Sequence, residues 1–297
     1  MDTPFLSNAA KMKSSAVKHE WQTDALLAAT AANAQYEGDD SFAATTVTPT
    51  VRLSNYHQIS RKTVLVSGTQ DAVSKAGRSK ELAYQLAKAG KELKRDMESA
   101  LTQNNGSTAG TSASLRYSAS LESWLSTNRV VNSGSGIHTT PGYNTSTGLC
   151  TAPTDATTAA TLTQANFKLA IQNAWTQGGD PKMVMCGPYN KQKISGFSGI
   201  ATLFKDVPKS NNGMIIGAAD VYVSDFGQHM IVPNRFQRDL TVFILDMDYW
   251  GVGYLRPFQT QELAKTGDAS KYMLLAEYTL VSKNEKASAK VTDNSTS

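Results

Sequence analysis

The chain has 297 residues, of which 40% are hydrophobic and only 18% charged. That apolar content is enough for a buried core and excludes a disordered chain. A net charge of +4 from 29 basic and 25 acidic residues is too small for the clustered basic stripe of a dedicated nucleic-acid binder. In place of charge the sequence carries 29 Ser, 31 Thr and 35 Ala. Such a neutral surface, cheap in side-chain entropy, suits repeated close packing better than solvation of a free monomer.

Residues 1–17 are short, polar and small and read as an extended arm. From Lys18 to Ser67 the chain carries β-branched and partly alternating stretches around a Gly38-Asp39-Asp40 turn signal, including Thr45-Thr46-Val47-Thr48, so the block predicts a long β-hairpin. It has few residues able to form a core of its own, and a lone hairpin is marginal in water. The spacing of Leu82, Leu86, Leu93, Met97 and Leu101 predicts one long helix over 70–103, with Thr69 as its cap and Asp71 in its first turn. Its basic residues Lys88, Lys91, Lys94 and Arg95 are expected on a solvated face balanced by Glu81, Glu92, Asp96 and Glu98. A short helix is predicted over Leu115–Thr127, and 132–158 reads as a long loop. A second good helix is predicted from Thr163 to Gln177, then a buried strand at Lys182–Cys186 and a short helix to Ile194. Asp220–Ser224, Gln228–Pro233, Leu240–Asp246 and Lys271–Ser282 read as strands, and the polar tail from Asn284 as frayed.

The search for chemistry is negative. There is no Walker loop, no Gly-x-Gly-x-x-Gly and no His-Glu-x-x-His. Gly196-Phe197-Ser198-Gly199 has the wrong spacing for a nucleophile elbow. His19, His57, His138 and His229 are scattered, and Asp246/Asp248 lacks the further oxygen ligands of a calcium loop. Cys150 and Cys186 have no companions at metal-ligand spacing, which points to a reducing compartment. No apolar run approaches the ~18 residues of a membrane span, and residues 1–6 carry no signal-peptide pattern. The residues therefore predict an intracellular soluble product without catalytic machinery, cofactor or metal.

Several segments resemble one family of tailed-bacteriophage major capsid (major head) proteins. They are Thr3-Pro4-Phe5-Leu6-Ser7, His19-Glu20-Trp21-Gln22-Thr23-Asp24, Asn55-Tyr56-x-Gln58-Ile59-x-Arg61-Lys62 and Val66-Ser67-Gly68-Thr69-Gln70. Towards the end come Val232-Pro233-Asn234-Arg235-Phe236, Leu245-Asp246-x-Asp248-Tyr249-Trp250, Leu255-Arg256-Pro257 and Glu277-Tyr278-Thr279-Leu280. The resemblance implies an α+β phage major capsid fold. Residues 1–17 would be the N-terminal arm and 18–69 the extended hairpin loop. Residues 70–106 and 263–297 would form a peripheral domain of spine helix and long strand, and 107–262 an axial domain.

It further implies a protein that assembles with itself into pentamers and hexamers of an icosahedral head shell enclosing double-stranded DNA, which it touches non-specifically. Scaffolding, portal and decoration proteins would be its partners, with assembly in the host cytoplasm and residence in the virion capsid. Trp21, Leu26, Tyr56 and Ile59 are expected to bury against a neighbouring subunit, because large aromatic and aliphatic groups anchor interfaces. Arg61 and Lys62 would pair there with Glu37, Asp39 or Asp40 of another copy. The alternatives are an encapsulin-like bacterial nanocompartment shell, a repeat-free fibre or adhesin, and an enzyme with an unrecognised site, centred for instance on Cys186 or Asp246/Asp248.

Overall fold

Strands whose residues are apolar on both sides mark the middle of this fold, and two sheets meet there. The computed structural model describes residues 2–38, 40, 47–73, 77, 80–135, 139–197, 220–265 and 267–296. The chain opens with α1 (Pro4–Asn8), β1 (Ala10–Lys13), β2 (Lys18–Thr23), β3 (Val51–Tyr56) and β4 (Gln58–Ser67). Helices α2 (Gly68–Ala72), α3 (Glu81–Thr102) and α4 (Leu121–Trp124) follow. The short strands are β5 (Arg129–Val131), β6 (Ser133–Ser135), β7 (Gly142–Asn144), β8 (Leu149–Thr151) and β9 (Thr158–Ala159). Next come α5 (Gln164–Thr176), β10 (Met183–Cys186), α6 (Pro188–Ser195), β11 (Val221–Ser224), β12 (Gly227–Pro233) and β13 (Val242–Leu245). The last strands are β14 (Trp250–Leu263), β15 (Ala269–Ser282) and β16 (Ala289–Thr292). Asp39, Thr45, Thr46, His138, Ser198 and Gly199, all singled out above, lie outside the described residues.

A mixed six-stranded sheet has the order β11-β12-β10-β13-β16-β5. Alternation along its central strands divides them between two cores. Met183, Met185, Phe243 and Leu245 face a cluster with Leu93, Met97, Leu101, Trp124 and Trp250. Val184, Cys186, Val242 and Ile244 face a second cluster with Phe167, Ile171 and Ile194. Burial on both sides explains why these segments read as unbroken apolar runs. The second sheet, β1-β14-β15-β4, is covered by α3, whose Ala89, Leu93, Met97 and Leu101 are buried. Fully burying a side chain such as Leu93 contributes about 2 kcal/mol.

Several expectations change. The helix predicted over 70–103 is interrupted: α2 ends at Ala72, Gly77 sits at φ +84°, and α3 starts only at Glu81. A left-handed glycine stops an α-helix, and the helix-period leucines begin only after it. Ser67, not Thr69, caps α2 by accepting from the Gln70 amide. The predicted helix at 115–127 shrinks to the single turn of α4, because Tyr117 forms a β-bridge with Thr108 and Ser120 is held by Asn105.

The predicted 18–67 hairpin is also shorter. Only β2 and β3 pair with each other, in register from Lys18↔Tyr56 to Thr23↔Val51, while β4 pairs antiparallel with β15. His57 marks the break, and the inner row of β4, with Lys62, Val64 and Val66, lies against α3. Finally, the tail is not frayed. Residues 289–292 form β16 between β13 and β5, with Ala289, Lys290 and Val291 fully buried.

Candidate assembly surface

The root of the hairpin is fastened to the body by specific polar contacts. Asn55 at the end of β3 is fully buried. Its Nδ2 donates to the carbonyls of Leu280 (2.8 Å) and Ala119 (3.3 Å), and its Oδ1 accepts from the Ala119 amide. Thr279 Oγ1 donates to the carbonyl of Tyr56 at 3.0 Å. Trp21 on β2 donates from Nε1 to the Ser282 carbonyl at 2.8 Å, and its ring lies 5.5 Å from that of Trp124, which stacks on Tyr143. Two histidines complete the root. His19 and His57 stand edge to face with ring centroids 6.1 Å apart. Beside them Glu277 is gripped by both Arg116 and Arg256.

Beyond Thr23 the hairpin leaves its own chain. Leu26 is 99% exposed, and Leu27, Tyr36 and Val47 are also exposed. The six residues expected to meet a neighbour therefore do not form one cluster. Trp21 and Tyr56 are half-buried at the root, against the body of the same chain. Leu26 lies on the exposed segment. Ile59 (46% exposed) and Arg61 sit on the outer row of β4 with Thr63 and Leu65. Lys62, on the inner row, is engaged within the chain: its Nζ is 2.8 Å from Asp96 on α3.

A second anchored segment is the arm. Glu98 of α3, expected among solvated charges, is fully buried. Its carboxylate accepts from the amides of Phe5 and Leu6, each at 2.8 Å, and from Asn234 Nδ2 at 2.7 Å. Burial raises the carboxyl above its usual range, against the pull of those three donors. Two motifs far apart in sequence, Thr3–Ser7 and Val232–Phe236, thus converge on one carboxylate. Sequence reading missed it because a Glu on a helix with Lys and Arg neighbours looks solvated. Its place beside Met97, one step from the apolar stripe, was the available signal.

Several of the described residues weighed for chemistry make structural contacts. Asp246 caps a 3₁₀ turn by accepting from Asp248 N (3.3 Å) and also accepts from Asp180 N (3.1 Å). His229 bridges Ser224 and the Pro181 carbonyl. Burial pushes the Cys186 thiol up to about 12 and the Cys150 thiol higher still, so neither is poised as a nucleophile. Among the described residues no three His, Cys, Asp or Glu side chains stand close enough to hold a metal. No helix among them is long and apolar enough to cross a membrane. An open cavity of about 600 Å³ at the end of α3 is lined by polar groups including Asp96, Gln103, Asn104, Asp155 and Arg238, with no His, Cys or Lys among its walls.

Among the described residues, what stands out is a β2–β3 hairpin fastened at its root to the two sheets and exposed beyond Thr23. The family model for the SU10 major capsid protein matches residues 1–295. The chain belongs to this capsid family. It is 27% identical, over 322 aligned positions, to the major capsid protein of Escherichia phage Phieco32, covering 97% of this chain and 88% of that one. Its fold matches a chain of the capsid asymmetric unit of cyanophage A-1(L) with a TM-score of 0.66 at 12% identity, over 99% of this chain and 93% of the other. The SrpI encapsulin of Synechococcus elongatus shares the fold more distantly, with a TM-score of 0.56 at 10% identity over 99% and 89% of the two chains. Family membership separates these alternatives, which fold alone does not. The chain is a major capsid protein that assembles with itself into an icosahedral shell.

Proposed function

We propose that the hairpin is the arm by which each copy grips the next in the head shell of a tailed phage. The observation that carries this reading is the contrast along the hairpin: a root fixed by Asn55 and Trp21, and an outer part whose Leu26, Leu27 and Tyr36 have no cover in their own chain. Residues with exposed apolar side chains on a held arm need a partner surface. Leu26 and Ile59 are the apolar contacts, and Arg61 on β4 faces acidic residues such as Glu37 and Asp40 of the adjoining copy. Trp21, Tyr56 and Lys62 set the angle at which the arm leaves. The two contacting surfaces differ, so the interface is heterologous and closes through the symmetry of the shell.

In this reading residues 1–17 are the arm and 18–57 the extended loop. The sheet of β1, β14, β15 and β4 with α3 is the peripheral part. The six-stranded sheet, including β16 from the tail, is the axial part that meets its copies at five-fold and six-fold centres. The shell encloses double-stranded DNA without a strongly basic lining, in keeping with a net charge of +4. Scaffolding, portal and decoration proteins complete the head, which assembles in the host cytoplasm.

The test is to replace residues 26–48 by an Asn-Gly turn, which keeps β2, β3 and the whole root. The shortened chain should unfold with stability within about 0.5 kcal/mol of the parent, as expected for a surface change, and should form no shells by negative-stain microscopy. Shells in normal yield would overturn the proposal.

A further inference from the structure

We infer that His19 and His57 form an acid-sensitive clasp at the root of the hairpin, which frees β2 and β3 from the body when either ring takes up a proton. The inference rests on the hairpin being the assembly arm only for its consequence; the clasp itself is a property of one chain. His57 is fully buried, and its Nδ1 donates to the Val17 carbonyl at 2.9 Å. That bond leaves Nε2 as the bare lone pair, and it has no partner. His19 is half-buried, with Nδ1 3.1 Å from Ser14 Oγ and Nε2 likewise unpartnered. A bare acceptor is tolerable in such a place. Protonation turns it into a charged N–H with nothing to donate to, which is far more costly.

The surroundings do not compensate. The charged groups facing His57 are His19, Arg116 and Glu277. Arg116 also donates from Nε to the His57 carbonyl at 2.5 Å, and Glu277 is already held by Arg116 and Arg256. Glu277 thus favours a charged His57 and Arg116 opposes it, while burial, the largest influence, disfavours it. On the His19 side stand Ser14, His57 and the tilted Trp21 ring at 5.6 Å, none of which carries a negative charge. Burial lowers the affinity of both rings for protons.

The sign follows from linkage. Between the unfolded histidine value of 6.5 and the lower folded values, the open root holds more protons than the closed one. The clasp is therefore fully closed above pH 6.5 and loosens as pH falls below it. Because Val17, His19, Trp21 and His57 sit where the hairpin meets β14 and β15, the response is confined to the root while the sheets keep their own contacts.

Hydrogen exchange of the full chain between pH 7.5 and 4.5 tests this, with protection corrected for intrinsic exchange. Peptides covering 18–23 and 51–57 should lose protection about tenfold per pH unit below 6.5 for one titrating ring, and up to about a hundredfold if both titrate together. Peptides covering 269–282 should stay protected. H19Q should reduce the slope, and H19Q with H57Q should abolish it. Root protection that is constant across this range, or an unchanged slope in both single variants H19Q and H57Q, would sink the clasp. Should the double variant not fold, ring NMR of the parent decides: both imidazoles must titrate below 6.5 with the midpoint of root opening, and an ordinary midpoint in both overturns the idea. Exchange is read within one chain, so failure here leaves the assembly reading standing, and shell formation without residues 26–48 would leave the clasp standing.

Discussion

Lys290 shows how single residues commit this chain to one fold. It lies on β16 with no exposure, and its Nζ donates to Glu122 Oε1 at 2.9 Å and to the Glu122 carbonyl at 2.6 Å. Burial holds its ammonium below the ordinary lysine range despite that partner. Such pairs add little net stability but are expensive to break. Lys290→Ala should therefore cost about 3–5 kcal/mol in urea unfolding, whereas Lys290→Met combined with Glu122→Gln should recover most of that loss. A double-mutant cycle measures the coupling directly. Glu98 behaves similarly at the other end of the chain. Glu98→Ala strands three donors, each worth about 1–3 kcal/mol when buried without a partner. Loss of stability should be accompanied by protease access to residues 2–9, with Glu98→Gln intermediate because one carbonyl acceptor remains.

At the scale of elements, β14 is the instructive case, because nothing in its sequence advertised a strand. Gly251, Gly253 and Pro257 are strand breakers by propensity. Each is accommodated by a tertiary circumstance. A Cβ on Gly251 would come within 2.9 Å of Met12 Sδ on β1, and one on Gly253 within 3.2 Å of the Thr279 methyl. Pro257 falls where the register against β15 slips twice, between Tyr254, Arg256 and Gln259, and a bulge needs no ladder donor there. The tail offers a sharper test. A Cβ at Gly179 would lie 2.1 Å from the Ala287 carbonyl oxygen, a backbone atom with nowhere to go. Gly179→Ala should thus destabilise by more than about 2 kcal/mol. Truncation after Lys283 should give insoluble protein, since it opens the six-stranded sheet between β13 and β5. A soluble, cooperatively folding truncation would show that the sheet closes without β16.

For the whole molecule, the family motifs pointed to a capsid protein, and the family model matches over residues 1–295. The helix-period leucines found α3, and the helix predicted from Thr163 to Gln177 is α5, which Thr163 caps by accepting from Asn166 N. The candidate contacts were legible only by type. Of the large side chains expected there, Trp21 faces Trp124 of its own chain while Leu26 faces solvent. Periodicity cannot distinguish these fates, because both residues lie in a stretch of mixed polarity.

By itself the sequence determined the composition of the surface, the apolar runs of β10 and β13, the amphipathic face of α3 and the absence of familiar catalytic motifs. These are local properties, set by side-chain type and spacing along a few turns or strands. Only the tertiary structure decided that Glu98 is buried, that β4 leaves the hairpin to pair with β15, that the polar tail becomes an inner strand, and that His19 and His57 meet. Each of those depends on residues between 38 and 220 positions apart. Their energy comes from burial and hydrogen bonding that exist only once the sheets have closed.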